Sequence, residues 1–149
     1  LVIETFEQSE DEVKDGMDIA LCSYETKGDD IEVQYAGANN PLWIIRNNAI
    51  IETKADKQPI GKFDELLPYT THTFELQKGD SIYIFSDGYV DQFGGERGKK
   101  FKAKAFRELL LSIQDKAMEA QNTLIDESFE TWKGDLEQID DVCVIGIRI

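Results

Sequence analysis

The rhythm of hydrophobic and polar residues changes part-way along this chain of 149 residues. Early on the period is two. Ile31, Val33 and Tyr35 alternate with Glu32 and Gln34, the mark of a half-buried strand. Met17 to Glu25 reads as the strand before it, with a turn at residues 27–30. Leu42 to Arg46 and Ile50 to Lys54 flank Asn47-Asn48 and predict a hairpin. Thr70 to Leu76 and Ser81 to Phe85 flank the turn "QKGD" in the same way, so residues 17–86 predict an antiparallel meander. Residues 1–16 mix apolar positions with a charged run and predict a tail or surface loop.

Further on the spacing becomes helical. Phe106, Leu109, Leu110 and Ile113 fall at i, i+3, i+4 and i+7. Asp115 is placed to cap a second helix, whose stripe holds Met118, Ile125, Phe129 and Trp132 and which Gly134 ends. These stripes predict packing on a sheet, and Trp43 and Trp132 are expected in the core. The chain closes on "VCVIGIRI", residues 142–149, a near-continuous apolar run suited to the middle of a sheet. The whole predicts one α+β domain over residues 1–149, antiparallel sheet with helices beside it.

Composition narrows the functions. Sixteen Lys and Arg stand against thirty Asp and Glu, a net charge of −14. Such a surface repels a phosphate backbone and argues against nucleic-acid binding. A phosphorylated substrate stays open if a bound cation supplies local positive charge. No apolar run is long enough to span a bilayer, which with the cysteine usage predicts a cytoplasmic domain; an anchor elsewhere in a longer parent stays open. Cys22 and Cys143 each lie in an apolar segment and predict buried, unpaired thiols. The single histidine, His72, lies in a polar alternating strand and is expected at the surface. Residues 94–102, "GGERGKKFK", form one basic island, expected to be a flexible loop kept soluble by its charge.

Chemistry concentrates at strand ends. Asp87 follows the apolar run 82–85 and precedes Gly88, while Asp140 and Asp141 precede the final strand. If those strands are antiparallel neighbours, the three carboxylates converge at one sheet edge. Close carboxylates repel unless a cation neutralises them, and Mg²⁺ or Mn²⁺ prefers such oxygen donors. Gly88 would let the backbone approach closely. The residues alone leave two readings, a metal site or solvated turns. Asp91, four residues after Asp87, either faces the same site and orients a water or is an acid favoured in a helix's first turn. Asp15 and Asp18 read as solvated strand ends. No side-chain nucleophile is evident.

"LQKGDSIYIFSDGYVDQFGG" (76–95) and "QIDDVCVIGIRI" (138–149) together resemble the metal-dependent protein serine/threonine phosphatase family. The resemblance is to the bacterial branch typified by stage II sporulation protein E and the sigma-B regulators. "DGMDIALC" (15–22), "VQYAGANNPLWII" (33–45) and "QPIG" (58–61) are similar to further segments of that branch, in family order. The resemblance implies an α-β-β-α sandwich of antiparallel sheets, with Asp87 and Asp140 as metal ligands. Asp141 matches a position that is Asp or Asn in relatives, which implies a place behind the ligands. It also implies two Mn²⁺ or Mg²⁺ ions in the complete site, and a water they activate attacking phosphoserine or phosphothreonine. Implied partners are a phosphorylated signalling protein, such as an anti-sigma-factor antagonist, and an upstream sensor domain.

The chain also departs from that family. Its first acidic motif, Gly-Asp-x-(Ser/Thr)-Gly-His-Gly, has no match; Gly28-Asp29, Gly79-Asp80 and Gly134-Asp135 occur at expected turns without it. Ala38 stands where relatives carry His. The expectation is therefore an N-terminally incomplete catalytic domain, with little activity alone and open strand edges that favour a homodimer. The competing expectation is a non-catalytic phosphatase fold that binds a partner. A haloacid-dehalogenase-like site is excluded because Phe85 stands where its nucleophilic Asp belongs. A receiver domain is excluded because its acidic pair belongs near the start of a parallel α/β chain.

Overall fold

Alternating apolar residues and positive-φ turn residues build most of the sheet structure. The computed structural model describes residues 16–28, 30–61 and 67–149, so the tail, Asp15 and Asp29 lie outside the described residues. The chain divides into two compact units that interleave in sequence: residues 1–42 with 52–78, and 43–51 with 79–149. Among the described residues no helix is long and apolar enough to cross a membrane.

In the first unit, β1 (Gly16–Met17) pairs with β6 (Ile60–Gly61). β2 (Ile19–Lys27), β3 (Asp30–Ala38) and β7 (His72–Leu76) form a three-stranded antiparallel sheet in the order β2-β3-β7. Val33 and Tyr35 are buried and Gln34 is exposed, as their alternation requires. His72 is half-buried rather than at the surface. Its ring stacks between Tyr35 (6.1 Å) and Phe74 (6.3 Å), which its polar neighbours in sequence do not reveal. The turn after β3 persists without the family's histidine. Asn39 takes φ 61°, its N–H donates to the Asp56 carbonyl at 2.9 Å, and its amide donates to Asp18 Oδ1 at 2.7 Å.

In the second unit, β4 (Leu42–Arg46) and β5 (Ala49–Thr53) form the expected hairpin. Asn47 and Asn48 have φ of 51° and 58°, the paired left-handed conformation of a tight hairpin turn. β8 (Ser81–Phe85) and β11 (Val144–Arg148) complete an antiparallel sheet ordered β11-β8-β4-β5. Three helices follow β8: the single turn α1 (Gly88–Asp91), then α2 (Lys102–Ser112) and α3 (Met118–Lys133). Odd-numbered residues of β4 and β8 (Trp43, Ile45, Tyr83, Phe85) join Tyr89, Phe106, Leu110, Ile113, Ile125 and Phe129 in one core. Trp132 is half-buried against Phe101, their rings 5.4 Å apart. Gly134, at φ 56°, ends α3 as expected and donates its N–H to Glu130.

Four further expectations change. The "QKGD" turn does not close a hairpin: β7 pairs with β3, whereas β8 pairs with β11. β8 is apolar on both faces and needs a neighbour on each side, while the alternating β7 suits an edge. The final strand lies at an edge of its sheet among the described residues, not in the middle. Its even-numbered residues face the helices, and Ile145 and Ile147 on the other face are 48% and 45% exposed. Cys143 shares that odd parity and is exposed rather than buried; Cys22 is half-buried. Asp115 does not cap α3, which starts after Ala117 with no side-chain cap; Asp115 pairs with Lys116 instead.

Among the described residues, buried polar side chains have hydrogen-bond partners. Asp80, 2% exposed, takes Arg46 Nε at 3.0 Å and Nη2 at 2.5 Å, joining the end of β4 to the start of β8. Tyr83 donates to the buried Gln121, and Gln114 Nε2 donates to Tyr83 at 3.0 Å. Burial, with a contribution from Asp126, pushes the Tyr89 phenol up to about 12; its hydroxyl donates to the Ile125 carbonyl at 2.8 Å. A phenol with a raised folded pKa stays protonated in the fold while the unfolded chain ionises. Its contribution is full below pH 10 and is lost as pH rises toward about 12. Urea unfolding at stepped alkaline pH is expected to show that fall, with Tyr89→Phe reducing its slope.

Candidate metal centre

The site begins with the pairing of β8 and β11. Their register sets Phe85 opposite Val144 and Ser81 opposite Arg148. The residues just beyond, Ser86 on one side and Cys143 on the other, therefore meet at one end of the ladder. Ser86 N–H donates to the Cys143 carbonyl at 3.0 Å, and Cys143 N–H donates to Ser86 Oγ at 3.0 Å. The same hydroxyl donates to the Asp141 carbonyl at 2.8 Å. One serine thus ties the Asp87 turn to the Asp140-Asp141 segment.

Gly88 brings the two segments closer still. A Cβ at this position would overlap the Asp141 carbonyl oxygen and crowd its carbonyl carbon. The constraint is steric and not conformational, since Gly88 opens a helical turn and has no positive φ.

The acidic side chains are arranged less simply than the strand ends. Asp87 is exposed and stands at the N-cap of α1, with no side-chain capping bond to that turn. Asp140 turns Oδ1 back onto the N–H of Asp141 at 2.7 Å, and Gln138 Nε2 donates to the Asp140 carbonyl at 2.8 Å. Asp141 is exposed. Asp91 is engaged elsewhere: its carboxylate pairs with Lys100 Nζ at 2.7 Å. Among the described residues no three His, Cys, Asp or Glu side chains gather as a set able to hold a metal ion. The strand ends converge as expected, and the Asp140 carboxylate accepts from the backbone of its own segment. Asp87, Asp140 and Asp141 offer hard oxygen donors of the kind Mn²⁺ and Mg²⁺ take.

The basic island is ordered, not a flexible loop. β9 (Phe93–Gly94) and β10 (Lys99–Lys100) pair antiparallel. Gly95 N–H donates to the Trp132 carbonyl at 2.8 Å, and side chains at 94 or 95 would collide with Trp132. Lys100 then reaches back to Asp91.

Two residues escape a reading of the sequence alone. Ser86 is visible only as part of a turn, although its hydroxyl bridges both segments. Gln92 is not singled out by the sequence and is completely buried. No periodicity marks it; the one signal is its place directly after a short helical turn in an aromatic-rich stretch.

Antiparallel sheets with helices beside them are the architecture this chain shares with solved PP2C phosphatase domains. The SiaA-PP2C domain of Pseudomonas aeruginosa matches at a TM-score of 0.72 and 25% identity, over 79% of this chain and 46% of that one. The phosphatase domain of the cell fate determinant SpoIIE from Bacillus subtilis matches at 0.59 and 20% identity, over 89% and 56%. The catalytic domain of the serine/threonine protein phosphatase PstP, in complex with two manganese ions, matches at 0.58 and 15%, over 97% and 64%. This chain thus spans about half the length of the SiaA and SpoIIE domains. No curated protein matches it. The model of the stage II sporulation protein E (SpoIIE) family matches residues 3–149, and the chain belongs to that family.

The close approach at Gly88 can be tested directly. Gly88→Ala is expected to cost about 1–3 kcal/mol in urea unfolding, because the new methyl must displace the Asp141 carbonyl. An unchanged midpoint would mean that the two segments do not touch.

Proposed function

We propose that this chain forms part of a metal-dependent phosphatase that hydrolyses phosphoserine or phosphothreonine on a signalling protein. Asp87 and Asp140 would hold Mn²⁺ or Mg²⁺, with Asp141 and Gly88 shaping the segment behind them. The observation that carries the reading is the Ser86 bridge between the Asp87 turn and the Asp140-Asp141 segment, in a chain of the SpoIIE family. A divalent cation bound there would supply positive charge for the phosphoryl oxygens and lower the pKa of a water.

This chain's own residues provide the frame. Ser86 and Gly88 hold the two acidic segments at backbone contact. Lys100 neutralises Asp91 and so keeps one carboxylate from adding to the local repulsion. A phosphorylated anti-sigma-factor antagonist is the substrate type we infer, with a sensor domain upstream.

A second reading is a non-catalytic module that binds its partner through the same fold. A full-length protein without an upstream Gly-Asp-x-(Ser/Thr)-Gly-His-Gly would favour it, and one with that motif would favour the enzyme.

Phosphatase assays on the full-length protein, with Mn²⁺ and after chelation, separate the two. Metal-dependent release of phosphate from a phosphoserine peptide is expected, falling at least about a hundredfold in Asp87→Ala and in Asp140→Ala. Activity that survives both substitutions would reject the ligand assignment. Absence of activity in the intact wild type would favour the binding module.

A further inference from the structure

The segment from Asp135 to Cys143 carries Asp140 and Asp141 and contains no helix or strand. Within it, Gln138 Nε2 donates to the Asp140 carbonyl and Asp141 N–H donates to Asp140 Oδ1, bonds that stiffen the segment without fixing its place. Two side chains from outside it, Ser86 and Gln92, hold it by hydrogen bonds. Ser86 holds the far side, at Asp141 and Cys143. Gln92 holds the near side: its Nε2 donates to the Glu137 carbonyl at 2.9 Å, and its Oε1 accepts the Ile139 N–H at 3.4 Å.

Gln92 is 0% exposed, and its other bonds tie it to the rest of the unit. Nε2 also donates to the Phe93 carbonyl at 3.0 Å. Its own carbonyl accepts the Phe101 N–H at 3.0 Å and Trp132 Nε1–H at 3.1 Å. The side chain thus uses both amide hydrogens and its oxygen, all on backbone groups. Glu could not donate, Met could do neither, and Asn is one methylene too short to reach both Phe93 and Glu137.

We propose that Gln92 is a positioning residue: with Ser86 it clamps the Asp135–Cys143 segment on either side of Asp140, and so sets where that carboxylate stands relative to Asp87. Both clamps come from the same short stretch as Asp87, one residue before it and five after. The stretch that carries one acid therefore places the other. The consequence for metal binding rests on the function proposed above; the clamp itself does not.

Hydrogen exchange on the 149-residue chain tests the clamp. Gln92→Met is compared with Gln121→Met, a change at an equally buried glutamine whose side chain bonds Tyr83 and Lys116 instead. Gln92→Met is expected to speed exchange across residues 137–143 roughly tenfold, while Gln121→Met leaves those amides protected at a similar loss of Tm. If Gln92→Met does not fold, Gln92→Asn gives the same readout with the amide retained. Equal exchange in the two variants, or none above wild type, would overturn the proposal. Mn²⁺ calorimetry on the same proteins reads the consequence separately: binding about 10–100-fold weaker in Gln92→Met alone is expected. A wild type that takes no Mn²⁺ would count against the metal reading, and the exchange result would still decide the clamp.

Discussion

Everything at the candidate site depends on the antiparallel pairing of Ser81–Phe85 with Val144–Arg148. These two strands are far apart in sequence, and each ends or begins beside an acid. A slip of one residue would turn every side chain of the last strand to the opposite face. It would also take Asp140 away from the Asp87 turn. The register is held at both ends. Ile149 N–H donates to the Asp80 carbonyl at 2.9 Å, and Ser86 and Cys143 exchange bonds at the other end. Arg46 then fixes Asp80 to the neighbouring strand.

Buried polar side chains add selectivity that an apolar core alone lacks. Gln92, Gln121 and Asp80 are all nearly or fully buried, and each has partners. A matched hydrogen bond contributes only about 1 kcal/mol net, but an unmatched buried group costs about 1–3. Alternative packings that strand one of these groups are therefore disfavoured more strongly than the native one is favoured. Gln92 and Ser86 place this selectivity around the acidic segments, where small displacements matter most for ion binding.

Much of this could be read from sequence. The alternation at 31–35, the Asn47-Asn48 turn and the apolar stripes of the two long helices each follow from local rules that the structure obeys. The convergence of the Asp87 turn and the Asp140-Asp141 segment could also be inferred, because both strands were recognisable and only their adjacency had to be supposed. What could not be read is non-local. A short turn such as "QKGD" does not say whether the strands it joins share a sheet. The run "VCVIGIRI" reads the same at an edge as in the middle, so Cys143 was misplaced with it. Lys100, Gln92 and Trp132 lie far enough apart along the chain that only the folded backbone brings the basic hairpin into order. The orientation of Asp140, folded onto its own backbone, has no sequence signature.

The register of the two strands is open to a direct measurement. The bonds at Cys143 and Ile149 put Phe85 with Val144, and Tyr83 with Gly146, at the close, non-bonded positions of the ladder. Strong Hα–Hα nuclear Overhauser effects between Phe85 and Val144, and between Tyr83 and Gly146, are the expected result. Their absence, or a strong effect between Phe85 and Cys143 or Ile145 in their place, would contradict the arrangement on which the site is built.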